Sequence, residues 1–186
     1  MTDYLRREDI ELHDRVDAQL YYDLSSFYFE EADLLDEGRY VDWLDLFDDD
    51  LFYWAPTRTN RLRRQQALSI SEPGGLAFYD ETRESLAWRI RRFDSGMAWA
   101  EDPPSRTRHL ITNLRARHAT DTEGNKFIEA RTNFYVWRTR LEREQDTYVG
   151  TRTDLLRVSD QRLKVCDRRI LLDINVLASK NISTFF

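Results

Sequence analysis

The sequence has one cysteine, Cys166, which leaves no partner for an internal disulfide. A Rieske-type iron–sulfur centre needs two Cys and two His, so the chain is also short of thiolates for that. Histidine is nearly as scarce: His13, His109 and His118 are the three. A mononuclear non-haem iron needs two His and a carboxylate that converge. His13 falls in a polar N-terminal stretch. His109 and His118 sit on one extended segment whose ends lie roughly 30 Å apart, so they cannot share a metal without a sharp fold-back. No Gly-x-Ser-x-Gly elbow, phosphate loop or dinucleotide fingerprint is present. No run approaches the roughly 20 apolar residues of a membrane span, and no N-terminal apolar stretch looks like a secretion signal, so the cytoplasm is the expected compartment. With only six Gly and four Pro there is no low-complexity linker and no repeat. Lysine is rare too, three against 25 arginines. That bias suits planar, bidentate ion pairs at interfaces, and a GC-rich genome gives the same bias without physical meaning.

What is present is globular. Of 186 residues, 41% are apolar and 33% charged, which fits one domain with a real core. Aromatic residues reach 13%, including five Trp and nine Tyr, enough for a thick core or for surfaces buried against other chains. The net charge of −6 argues against a nucleic-acid partner. The densest positive spots, Arg61-Leu-Arg-Arg64 and Arg89-Ile-Arg-Arg92, are read as solvated faces and ion pairs.

Residues 1–16 read as a loosely held arm and 17–186 as a single α+β domain. From Asp17 a helical stripe of Leu20, Leu24, Phe27, Tyr28 and Leu35 runs to a stop at Gly38, with Glu30, Glu31 and Asp33 expected largely off that stripe. Tyr40, Trp43, Leu44 and Phe47 predict a short second helix, broken by Asp48-Asp49-Asp50. A strand over Leu51–Ala55 ends at Pro56, and residues 57–79 read as irregular. Asp80 is the expected N-cap of a third helix reaching Phe93. Four extended segments follow, 106–119, 127–141, 146–158 and 162–178, as an antiparallel meander. Helices followed by such a sheet predict a curved sheet with helices in its concave face, a cone with an internal pocket. Inside it His109, Asp154, Tyr28 and Tyr135 could form the set of an isomerase or dehydratase, or serve as hydrogen-bonded core. Cys166, in the strand Leu-Lys-Val-Cys-Asp, reads as a buried structural thiol.

Several stretches carry a resemblance: Phe29-Glu-Glu-Ala-Asp-Leu-Leu-Asp36, Trp99-Ala-Glu-Asp-Pro-Pro-Ser-Arg-Thr-Arg-His109, Tyr148-Val-Gly-Thr-Arg-Thr-Asp-Leu-Leu-Arg157, Arg169-Ile-Leu-Leu-Asp173 and Lys180-Asn-Ile-Ser-Thr-Phe-Phe186. In collinear order from about residue 17 onward, they resemble the β (small) subunits of aromatic-ring-hydroxylating dioxygenases of the biphenyl, benzene and cumene branch. The resemblance implies a cystatin-like or nuclear-transport-factor-2-like cone in a hexamer of three large and three small chains. It also implies a large chain that carries the Rieske cluster, the mononuclear iron and the substrate pocket. Electrons would come from NADH through a reductase and ferredoxin, and the product would be a cis-dihydrodiol. The small chain would then have no catalytic, cofactor-binding or metal-binding residue of its own.

Two segments are candidate contacts for such a partner. The loop from Ser95 to Arg108 contains Pro103-Pro104, unsuited to a sheet interior, and carries Trp99, Arg106 and Arg108, residue types common at interface hot spots. Alternatively Glu101 and Asp102 pair with those arginines, or Trp99 caps its own cone. The tail residues Phe185 and Phe186 either dock on a neighbouring chain or fold back over their own sheet.

Overall fold

The computed structural model describes residues 7–94, 103–159, 162–175 and 184–186. Seven strands form one sheet in the order β1-β4-β5-β6-β7-β2-β3. Its centre is the antiparallel meander of β4 (Arg106–Thr120), β5 (Lys126–Arg140), β6 (Glu144–Ser159) and β7 (Arg162–Leu172). β2 (Phe47–Pro56) runs parallel to β7, and β3 (Ala77–Glu81) pairs antiparallel with β2 at one edge. Asn113, with φ of 56°, marks a bulge in β4 where the register shifts against β5, and bulges bend a strand. The concave face holds α1 (Ala18–Asp36), α2 (Tyr40–Leu44) and α3 (Arg83–Asp94). This is the α+β cone, of the nuclear-transport-factor-2-like kind.

Local chemistry explains the helix ends. The Asp17 side chain accepts the Leu20 amide at 2.8 Å and starts α1. Gly38, at φ of 72°, ends it: its amide reaches Leu35 O and the Arg39 amide reaches Leu34 O, the reciprocal pattern of a Schellman motif. The cap of α3 is Thr82, not Asp80. Thr82 Oγ1 accepts the Ser85 amide at 3.2 Å while Ser85 Oγ accepts the Thr82 amide at 2.9 Å. Asp80 lies in β3, paired with Trp54, because the stretch read as irregular turns into an edge strand at Ala77. The three aspartates after α2 are likewise inside β2 rather than in a break. Asp48 and Asp50 are balanced there by Arg157 at 2.9 and 3.0 Å.

The expected N-terminal arm is tied down from Arg7 onward. β1 (Glu11–Arg15) pairs with β4, and Arg7 crosses the outer sheet face to Asp167 at 2.7 Å, Glu129 at 3.1 Å and Thr153 O at 2.9 Å. Sequence patterning missed this because β1 is exposed on both faces and shows no apolar alternation. Beside it Ile10 covers a small second core of Ala119, Phe127, Leu155 and Cys166. The main core lies between the helices and the inner sheet face. There Ile128, Ala130, Thr132, Phe134 and Val136, alternate residues of β5, are all buried.

Candidate functional site

The interior of the cone is polar at its centre. Glu31, on α1, is only 1% exposed. It accepts from Trp43 Nε1 at 3.0 Å, pairs with Arg168, and lies 2.8 Å from Arg152 Nη2. This last contact is Coulombic, since Arg152 Nη2 is not aligned as a hydrogen-bond donor. Arg168 also grips Asp154, with Nε at 3.0 Å and Nη2 at 2.8 Å, and Tyr28 donates to Asp154 at 3.0 Å. Burial raises the Glu31 carboxyl, but the charges of Arg152 and Arg168 outweigh it and hold the carboxyl down at about 2. Burial, reinforced by the Asp154 charge, drives the Tyr28 hydroxyl well above its ordinary value, so it acts as a fixed donor.

His109, on β4, is buried at 7% exposure. Its Nδ1 is 2.6 Å from Asp36 Oδ1 and its Nε2 is 3.1 Å from Phe185 O. The Asp36 carboxylate also accepts the His109 amide at 3.0 Å. The Asp36 side chain is 6% exposed; desolvation raises its carboxyl, yet its hydrogen bonds from His109 hold it below its ordinary value. A carboxylate and a carbonyl both only accept, so each ring nitrogen faces an acceptor and neither is left open to a substrate.

The proposed set of His109, Asp154, Tyr28 and Tyr135 therefore does not converge. His109 is occupied by Asp36 and the tail, while Asp154 and Tyr28 bond each other deeper in the cone. Tyr135 is 42% exposed on the outer face, because its odd position in β5 puts it opposite the buried Phe134 and Val136. Cys166 donates to Leu155 O at 3.3 Å, and burial pushes its thiol up to about 12. His13 meets Thr120 Oγ1 at 2.8 Å on the surface, and His118 is exposed. Among the described residues no three His, Cys, Asp or Glu are grouped to hold a metal, and no helix is long and apolar enough to cross a membrane.

Phe185 and Phe186 turn inward, at 2% and 1% exposure, so neither ring is presented to a neighbouring chain. The burial follows from the aromatic lining that receives them: Phe185 stacks on Trp43 at 4.7 Å, and Phe186 lies 5.3 Å from both Phe134 and Tyr148. Trp99, Glu101 and Asp102 fall outside the described residues. Arg106 is exposed at the start of β4, and Arg108 is exposed with Nη1 3.4 Å from Asp36 Oδ2. Pro103 O accepts from Arg140 Nε at 2.9 Å, which anchors the end of that loop to β5.

Sequence reasoning missed the Glu31–Arg152–Arg168–Asp154 cluster. A signal was there: Glu31 falls in helical register with Leu24, Tyr28 and Leu35, and Arg152, Asp154 and Leu156 share strand parity. It also missed the outer face above Arg108. Leu110, Tyr135 and Val149 are cross-strand partners in one row, and Arg108, Trp137 and Thr147 form the next. These apolar side chains are partly exposed, whereas the other end of the same face is covered by Arg7 and Ile10.

Comparison with known proteins matches this architecture. The family model of the ring hydroxylating beta subunit matches residues 30–179, and the chain belongs to that family. A chain of naphthalene 1,2-dioxygenase, from a structure with indole bound in the active site, superposes with a TM-score of 0.80 at 22% identity, over 94% of this chain and 90% of that one. The beta subunit of benzoate 1,2-dioxygenase from Burkholderia mallei gives 0.60 at 22% identity, over 87% and 93%. A protein from Novosphingobium aromaticivorans assigned as a scytalone dehydratase gives 0.54 at 15% identity, over 88% and 93%. At these identities the likeness is one of fold.

Proposed function

We propose that this chain is the non-catalytic small subunit of a ring-hydroxylating dioxygenase that converts arenes such as biphenyl, benzene or isopropylbenzene to cis-dihydrodiols. In this reading a large subunit carries the Rieske cluster, the mononuclear iron and the substrate pocket, and three large and three small chains form the cytoplasmic hexamer. Reductase and ferredoxin deliver electrons from NADH to the large chain. The observation that carries the non-catalytic assignment is the engaged state of the cone: His109, Tyr28 and Asp154 already spend their hydrogen bonds within the chain, and the tail fills the space a substrate would need. The same contacts weigh against the other reading, a free-standing isomerase or dehydratase using His109 with Tyr and Asp, although that class shares the fold.

We place the large-chain contact on the outer sheet face at the start of β4, where Arg106 and Arg108 lie near the partly exposed Tyr135 and Trp137 of two adjacent rows, and we add Trp99 to it on its sequence alone. An aromatic patch rimmed by arginine is the composition of an interface centre. Co-expression with candidate large chains, followed by product analysis on biphenyl, benzene and isopropylbenzene, tests the assignment. Dihydrodiol formation that requires both chains supports it. Turnover of any substrate by the small chain alone, abolished by His109→Ala, overturns it.

A further inference from the structure

Thr184, Phe185 and Phe186 are buried, yet they belong to no helix or strand. Buried backbone normally pairs with other backbone. Here side chains from four strands meet it. Tyr79 of β3 donates to Thr184 O at 2.8 Å and His109 of β4 faces Phe185 O at 3.1 Å. Tyr53 of β2 donates to Phe186 O at 3.1 Å and accepts the Phe186 amide at 2.9 Å, while Arg168 of β7 donates to Phe186 O at 3.1 Å. Each ring has its own aromatic subsite, Trp43 and Tyr79 around Phe185, Phe134 and Tyr148 around Phe186. This is how a protein reads a bound ligand.

The groups that do the reading are also positioned without the tail. Arg168 is fixed by Glu31 and Asp154, and His109 by Asp36. Tyr53 packs edge-on against Tyr79 at 5.5 Å and against Trp43 at 6.2 Å, and Arg89 lies over the Tyr79 ring at 5.2 Å. The donors are thus preorganised, the condition under which a site binds in trans what it now holds in cis.

We propose that the cone is a binding site for short peptides with two adjacent aromatic residues, and that Thr184–Phe186 is its ligand held in cis. Being part of the same chain, the tail competes intramolecularly and so masks the site against weak competitors. The proposal does not depend on the large subunit or on its substrate, and its test uses the full small chain alone.

The probe is N-acetyl-Phe-Phe, titrated calorimetrically into the wild-type chain and into the full-length Phe185→Ala/Phe186→Ala variant. The variant is expected to bind one probe per chain at least about tenfold tighter than wild type, since its own tail no longer competes for the ring subsites. Its melting temperature should rise as probe saturates it, and N-acetyl-Gly-Gly should give no heat. Tyr79→Phe in the same background should weaken the probe. A folded variant that takes up no probe, or binds it no better than wild type, overturns the proposal, as does equal binding of the glycine peptide. If the double variant does not fold, Phe186→Leu decides. That change keeps most of the volume but loses the ring contacts to Phe134 and Tyr148, so probe affinity must exceed wild type, and unchanged affinity overturns the proposal.

Discussion

Two carboxylates, Glu31 and Asp154, share the cone with two guanidiniums, Arg152 and Arg168, and this balance governs the response to acid. The folded-state value of Glu31, about 2, lies below its ordinary 4.5. Its stabilising contribution is therefore fully present above 4.5 and is lost as pH falls toward 2; the shift corresponds to about 3 kcal/mol. Asp36 is also lowered and acts with the same sign, being lost in acid. The melting temperature is expected to be flat, as far as these two groups set it, from pH 7 to 5 and to drop steeply below about 4.5. Glu31→Gln should lower stability at neutral pH by about 3–5 kcal/mol, by leaving buried arginine charge uncompensated, and should flatten the acid limb. An acid limb unchanged by Glu31→Gln would move its origin elsewhere. At the same scale Cys166, with its thiol pushed up to about 12 behind Phe127 and Leu155, should react with a thiol reagent at pH 8 only as fast as the chain unfolds. Fast labelling of the native protein would contradict its burial.

Within the sheet, the close approach of β6 to β7 and the seat of the tail depend on one glycine. A Cβ on Gly150 would lie 2.3 Å from Leu171 O and 2.9 Å from Phe134 Cζ, so the backbone of β7 or the Phe134 ring would have to move. Phe134 is also one wall around Phe186. Gly150→Ala is expected to destabilise by about 1–3 kcal/mol, measured by denaturant unfolding, and to loosen the tail. Phe186→Ala, which empties the subsite formed by Phe134 and Tyr148, should destabilise by about 3–5 kcal/mol. A neutral result for both would place the tail outside the core. The four long strands and α1 were legible in the sequence because their apolar periods of 2 and 3.6 are strong. β1 and β3 were not: they are short edge strands whose existence rests on a partner distant in sequence, which no local pattern encodes.

At the scale of the whole molecule, the outer sheet face divides into an end covered by Arg7 and Ile10 and an end that leaves Tyr135 and Trp137 partly exposed. The proposed interface predicts that Trp137→Ala and Trp99→Ala each weaken assembly with the large chain by about 2 kcal/mol or more, as hot spots do. The small chain should keep its circular dichroism and melting point in the Trp137 variant. Arg106→Ala should weaken assembly and make it less sensitive to salt. Subunit dissociation followed by light scattering across a salt series reads all three. Normal assembly of the Trp137 and Arg106 variants would remove this face from the contact.

By itself the sequence determined that one cysteine and three dispersed histidines cannot assemble either iron site, that the chain is an α+β domain with a late antiparallel meander, and, through collinear short stretches, its family. Those are consequences of composition, period and order, which a linear text contains. Only the tertiary structure decided the use of its polar and aromatic residues. It drew Glu31 into the core because two arginines from strands more than a hundred residues away neutralise it there. It took His109 out of contention as a reactive group by placing an acceptor at each ring nitrogen. It turned Phe185 and Phe186 inward because the aromatic walls and donors that hold them come from separate strands and converge only when the sheet curves.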